Sequence, residues 1–231
     1  MSCKIKAPFF EIGPKSYLYG DEILELALAA DAASEKYDVD VIFTCPVVDI
    51  RRVKEATKRI HVFAPHMDPI PVGRGLADIL PESLVAAGAE GVMLNHVEKP
   101  LAFEVLAATI KRAEEVGLTT IVCADSMADA SKIAGLHPDI IVAEPSELIG
   151  TGVSVGPEYV EAAMQSVKGV DENILVLTAA GIANGTDVYN TIIAGADATG
   201  SSSGVAKAAD RPAMVDEMIG AARKAWDERH N

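Results

Sequence analysis

Cysteine is scarce in this chain of 231 residues: Cys3, Cys45 and Cys123 lie far apart and show no metal-ligand spacing. So sparse and odd a set argues against a disulfide scaffold or a structural metal and fits a reducing cytosol. Long apolar runs are missing as well. None approaches the ~20 residues that span a bilayer, and the opening Met1-Ser2-Cys3-Lys4-Ile5-Lys6 lacks the apolar segment of a signal peptide. The expectation is a soluble, cytoplasmic protein with no membrane partner. Cations are also short, 20 Lys and Arg against 34 Asp and Glu, for a formal net charge of −14. That balance disfavours binding to a nucleic-acid backbone. A small anion remains compatible, because backbone N–H groups and one or two lysines can hold it locally.

What is present is a core. The hydrophobic share is 49%, enough for one substantial domain or two small ones. Short apolar strand signals fall at residues 3–12, 39–45, 60–64, 91–95, 119–123, 140–143, 174–178 and 198–200. Helical patterns follow them at 21–36, 48–58, 81–87, 101–116, 126–136 and 157–167, from Asn184 to about 194, and from Arg211 onward. A Ser/Gly loop follows the eighth strand, and a Pro- and Gly-rich loop at 65–76 is too long for a simple connector. Such an alternation leaves an open doubly wound sheet or a closed eight-stranded barrel. No linker or composition break interrupts the chain, and no Gly-x-Gly-x-x-Gly follows the first strand. Both facts favour a single (β/α)8 barrel domain over residues 1–231.

The chain turns on residues 140–155, where a buried strand ends at Glu144, pinned by Pro145, before a loop with Gly150 and Gly152. A carboxylate beside glycine hinges suits gated proton transfer. In barrels of this kind chemistry sits at the carboxyl ends of strands. Those ends also carry Lys15, His96 and Glu98, with small-residue turns at Ala179-Ala180-Gly181 and Ser201-Ser202-Ser203-Gly204. Each alone is equally an ordinary cap, solvated lysine or flexible loop. Four of them at the same ends of different strands point to one site, with the last two turns as a phosphate cradle.

With these residues in place, the chain resembles the triosephosphate isomerase family, most closely its compact archaeal type, from Lys15 to about Lys207. Val-Ala-Glu-Pro-Ser-Glu-Leu-Ile-Gly-Thr-Gly at 142–152 is similar to the base-and-lid signature, and Leu-Asn-His-Val-Glu at 94–98 to Asn/Gly-His-Ser-Glu. Gly-Pro-Lys-Ser-Tyr at 13–17, Pro-Val-Val-Asp-Ile at 46–50, Pro-His-Met-Asp-Pro at 65–69 and Ser-Gly-Val-Ala-Lys at 203–207 fall in the right order. The resemblance implies Glu144 as general base, His96 as neutral electrophile, Lys15 as electrostatic stabiliser and Glu98 as organiser of the other two. It implies substrate or phosphate contacts at Gly13, Gly150, Thr151, Gly152, Ala180, Gly181, Ser202, Ser203 and Gly204. It implies no metal or organic cofactor, and a homodimer or homotetramer through the loop at 65–78, with Leu76 and Ile79 as apolar contacts or internal packing.

The outer shell departs from the family pattern. Gly13 stands in place of an Asn, Val97 of a Ser, and Pro65 and Leu76 of a Gln and a Thr. The turn after strand seven is Ala-rich rather than Gly-rich. The expected activity is aldose–ketose isomerisation of a small phosphorylated sugar, with a triose phosphate as default. A tetrulose phosphate is the alternative, since Gly13 makes room near the carbonyl end. A non-catalytic sugar-phosphate-binding barrel is the alternative from another class.

Overall fold

The computed structural model describes residues 5–231; Cys3 and Lys4, assigned above to the first strand, lie outside the described residues. A parallel barrel closes in chain order through β1 (Phe9–Ile12), β2 (Asp40–Thr44), β3 (His61–Ala64), β4 (Gly91–Leu94), β5 (Thr119–Ala124), β6 (Ile140–Ala143), β7 (Leu175–Thr178) and β8 (Ala198–Ser201). β8 pairs back onto β1, Phe9 opposite Ala198 and Glu11 opposite Gly200, so no edge is left open. Closure excludes the doubly wound alternative.

Helices cover the outside: α1 (Asp21–Tyr37), α2 (Ile50–Ala56), α3 (Pro81–Ala87), α4 (Phe103–Val116), α5 (Met127–Ala134), α6 (Pro157–Lys168), α7 (Gly185–Ile193), α8 (Ser203–Ala206) and α9 (Arg211–His230). Strand parity splits the core in two. Phe10, Ile12, Val41, Phe43 and Val62 face the helices. Phe9, Ile42, Phe63, Ile121, Ile140 and Leu177 fill the lumen. The lumen is therefore a plug and not a pore, and its upper surface is the floor of whatever lies above.

Several boundaries differ from expectation for local reasons. β1 starts at Phe9, just after Pro8, which has no N–H for a ladder. A 3-10 turn at Val47–Asp49 precedes α2, and the helix ends where Thr57 turns extended and its hydroxyl donates to the Val53 carbonyl at 2.8 Å. α4 begins at Phe103, after an extended Ala102, and the preceding turn is held by the Leu101 N–H donating to the Asn95 carboxamide oxygen at 3.0 Å. Part of the expected Ser/Gly loop is α8.

The loop after β3 is held at its ends: Asp68 donates its N–H to the Ile79 carbonyl at 3.0 Å and accepts the Ile79 N–H on Oδ2 at 2.7 Å. Ile79 is partly buried and packs against the core, which is the internal of the two roles open to it. Leu76 and Val72 stand out from the loop, 104% and 71% exposed.

Candidate active site

A cavity of about 830 Å³ opens at the carboxyl ends of the strands. Every residue singled out from the sequence lines it: Lys15, His96, Glu98 and Glu144, the glycines at 13, 150, 152, 181 and 204, and Thr151, Ala180, Ser202 and Ser203. Three of these strand ends carry a non-glycine residue in the left-handed region, Lys15 at φ 49°, Asn95 at 59° and Ala180 at 87°. Such backbone is held only where its surroundings over-determine it, and it gathers at functional sites. Here it turns the chain sharply off the barrel and aims the side chains inward.

On the rim, the Lys15 ammonium donates to Glu98 Oε1 at 2.9 Å. That hydrogen bond is the main reason the Glu98 carboxyl lies below the ordinary range. His96 accepts the backbone N–H of Glu98 on Nδ1 at 3.1 Å. Nδ1 is therefore unprotonated, and the remaining proton sits on Nε2. Burial first, and then the Lys15 charge, lower the His96 pKa, with Glu98 opposing. The imidazole is neutral and presents an N–H donor. Asn95 braces this segment from beneath, its carboxamide N–H donating to the Cys123 carbonyl at 3.0 Å.

Glu144 follows β6, with its backbone N–H on the Ala124 carbonyl at 3.1 Å. Burial raises its pKa above the ordinary carboxylate value; Lys15 and the Ala180 amide pull it down, and Glu98 and Asp125 add to the rise. A partly desolvated carboxylate is a stronger base than one in water. The loop beyond it is a 3-10 turn, Ser146–Leu148. It is tied at its start by the Ser146 N–H to Asp125 Oδ1 at 2.8 Å. Gly150 and Gly152, both at φ 74°, bracket exposed Thr151. Past this point the loop lies on the β7 turn, so close that a Cβ on Gly181 would sit 2.0 Å from the Val153 carbonyl oxygen.

A family model for triosephosphate isomerase matches residues 15–218. The chain is 34% identical over 226 residues to the triosephosphate isomerase of Saccharolobus solfataricus, covering 96% of this chain and 99% of that one. It is 36% identical over 203 residues to the triosephosphate isomerase of Methanocaldococcus jannaschii, covering 87% and 92%. The chain belongs to the triosephosphate isomerase family. Among the described residues no group of three or more His, Cys, Asp and Glu side chains could hold a metal ion, and no helix is long and apolar enough to cross a membrane.

Among the lining residues that sequence reasoning did not assign to the site are Glu11, Thr44, Cys123 and Lys207. Glu11 is the most unusual, a carboxyl on the inward face of β1 and 9% exposed. Thr44 donates to its Oε1 at 2.5 Å. Burial pushes the Glu11 pKa up to about 7, the Thr44 hydrogen bond and Lys15 opposing and Glu144 adding to the rise. Burial, helped by Glu144 and Glu11, likewise pushes the Cys123 thiol well up, so it stays protonated. The signal for Glu11 was available: one acid inside the apolar run Phe9-Phe10-Glu11-Ile12, on the lumen parity.

Proposed function

We propose that the chain is an aldose–ketose isomerase of a small sugar phosphate, with a triose phosphate as the substrate that family membership indicates. The observation that carries this reading is the juxtaposition of Glu144 with a His96 locked as neutral imidazole, Nε2–H outward, in one cavity. Glu144 takes the proton from the carbon beside the carbonyl and returns it to its neighbour. The Nε2–H of His96 polarises the carbonyl and passes protons between the two oxygens. Lys15 stabilises the negative charge that develops on the enediolate, and Glu98 keeps its ammonium in place. One C–H bond breaks and one forms, so no cofactor is required.

The phosphate end is assigned to the turns after β7 and β8 with the lid at 150–152. Ser202 supports this: its hydroxyl is buried without a partner among the described residues, yet the residue lines the cavity. Lys207 lines the same side and adds a cation. Lid closure excludes water from the enediolate, which otherwise eliminates phosphate. Assembly as a homodimer or homotetramer through the loop at 65–78 is supported by Leu76 and Val72, two exposed apolar side chains on a loop tied at its ends. The exposed Tyr19 and Val48, on the loops after β1 and β2, offer apolar area at the same end of the barrel.

The test is turnover of glyceraldehyde 3-phosphate by wild type and Glu144→Gln. Activity that the substitution abolishes supports the reading. A wild type that binds sugar phosphates without isomerising any would establish the silent binding barrel instead.

A further inference from the structure

The lumen is apolar up to its last layer, where β1 and β2 place Glu11 and Thr44 side by side. Nothing in the fold needs a carboxyl there. Oε1 accepts from Thr44, while Oε2 has no donor among the described residues and the side chain lines the cavity. The nearest cation, Lys15, is bonded to Glu98 instead. Oε2 is not among the buried side-chain atoms without a partner, so it faces the cavity as an acceptor that a ligand hydroxyl can reach.

The space for Glu11 is made by two missing side chains. A Cβ on Gly13 would lie 3.0 Å from Oε1, and one on Gly200 would lie 3.0 Å from Oε2 and 2.9 Å from the Glu11 Cβ. The Asn of the family pattern at position 13 and this Glu11 therefore compete for one volume. In this chain the space beside Gly13 holds a carboxyl that enters from one inward position deeper, where the family pattern has a carboxamide. The polar atoms at the carbonyl end of the site have moved towards the floor, by about the two-residue repeat of a strand.

We propose that Glu11, with Thr44, receives a substrate hydroxyl carried one carbon beyond the two carbons between which the proton moves. On this proposal the site takes a four-carbon ketose phosphate at least as well as a triose phosphate. It rests on the isomerase reading of Glu144 and His96 and specifies the substrate of that site. A hydroxymethyl group replaces the hydrogen that a triose phosphate has at its carbonyl end, so both forms are ketoses. Glu144 breaks the C–H bond beside the carbonyl and delivers the proton to the former carbonyl carbon. The proton of the reacting hydroxyl passes to the former carbonyl oxygen through His96. Oxidation state is conserved within the molecule, and the terminal hydroxyl takes no part beyond donating to Glu11 Oε2. Cys123 and Met93, lining the same floor, supply its apolar wall.

The experiment compares kcat/KM on glyceraldehyde 3-phosphate with kcat/KM on erythrulose 1- and 4-phosphates. It uses wild type, Glu11→Gln, and the double variant Glu11→Ala with Gly13→Asn. Wild type is expected to turn over an erythrulose phosphate with kcat/KM equal to or above that for the triose. Replacing the floor is expected to shift the ratio towards the triose by about 10²-fold or more, because a site built to bond a hydroxyl discriminates strongly on it. The double variant keeps the test open if Glu11→Gln fails to fold, since it removes the carboxyl and places at position 13 the Asn of the family pattern. Activity confined to trioses, or a ratio unmoved in both variants, overturns the inference and leaves the isomerase reading standing. Inactivity of wild type on both substrate sets overturns that reading itself.

Discussion

Lys15 and Glu98 on the rim meet at 2.9 Å at the mouth of the cavity, whereas Glu11 on the floor meets Thr44 inside the barrel. The two regions are tuned by different forces. Glu98, 62% exposed in its side chain, is lowered chiefly by a hydrogen bond from a cation. Glu11 is raised chiefly by loss of water. The rim is built just past the strand ends, where left-handed backbone at Lys15, Asn95 and Ala180 can aim side chains. The floor is built within regular strands, where the shape is set by which neighbours lack a Cβ. One cavity thus keeps its acid–base chemistry on the rim while the floor beneath is free to be rebuilt.

The strongest break in this comparison is Glu144→Gln. It is expected to lower kcat by about 10³-fold with little change in KM, the loss of a general base rather than of binding. Stopped assays over several substrate concentrations check it, and a comparable loss in binding would move Glu144 out of the base role. In wild type the acid limb of kcat/KM should lie above the ordinary carboxylate range, since burial raises Glu144.

Glu11→Gln probes the floor through stability. With a folded pKa near 7 against an ordinary 4.5, the folded state binds more protons than the unfolded state between those values. The contribution of Glu11 is therefore fully present below about 4.5 and lost as pH rises through 7. Wild type should lose up to about 3 kcal/mol relative to Glu11→Gln across that window. Urea unfolding of both proteins from pH 4.5 to 8 measures it, and parallel curves would show that Glu11 titrates normally.

Gly181→Ala tests the seat of the lid. The added Cβ meets the Val153 carbonyl at 2.0 Å on a backbone with φ 68°. The lid must move, and kcat/KM should fall about 10²-fold with the protein still folded by circular dichroism. The smallest effect is expected from Leu76→Arg, which should shift the molecule towards monomer in light scattering while changing thermal stability of the monomer by about 0.5 kcal/mol or less. An unchanged oligomer would remove Leu76 from any interface.

The barrel and the rim were readable because both follow position along the chain. Alternating strands and helices forced a closed or open α/β layout, and residues just beyond strand ends could be collected without knowing any contact. Glu144, His96 and Lys15 emerged that way. The floor was not collected because it lies inside strands, where reading a side chain's direction demands parity. Glu11 shares the lumen face with Phe9, and treating 3–12 as one apolar run hid it. Ile79 was ambiguous for a different reason. Whether an apolar loop residue turns in or out is decided by a distant anchor, here the pair of bonds from Asp68.

The fit of Glu11 between two glycines also constrains the order in which this site could have changed. An asparagine at position 13 would set its first side-chain carbon 3.0 Å from the Glu11 carboxyl, so Glu11 must give by a few tenths of an ångström to admit it. The same contact is tight whichever of the two side chains is already in place. Each substitution is penalised in the background that lacks the other, so the two positions are epistatic. The floor of this barrel is therefore best altered at both positions together, and a double-mutant cycle at 11 and 13 should read a coupling between them.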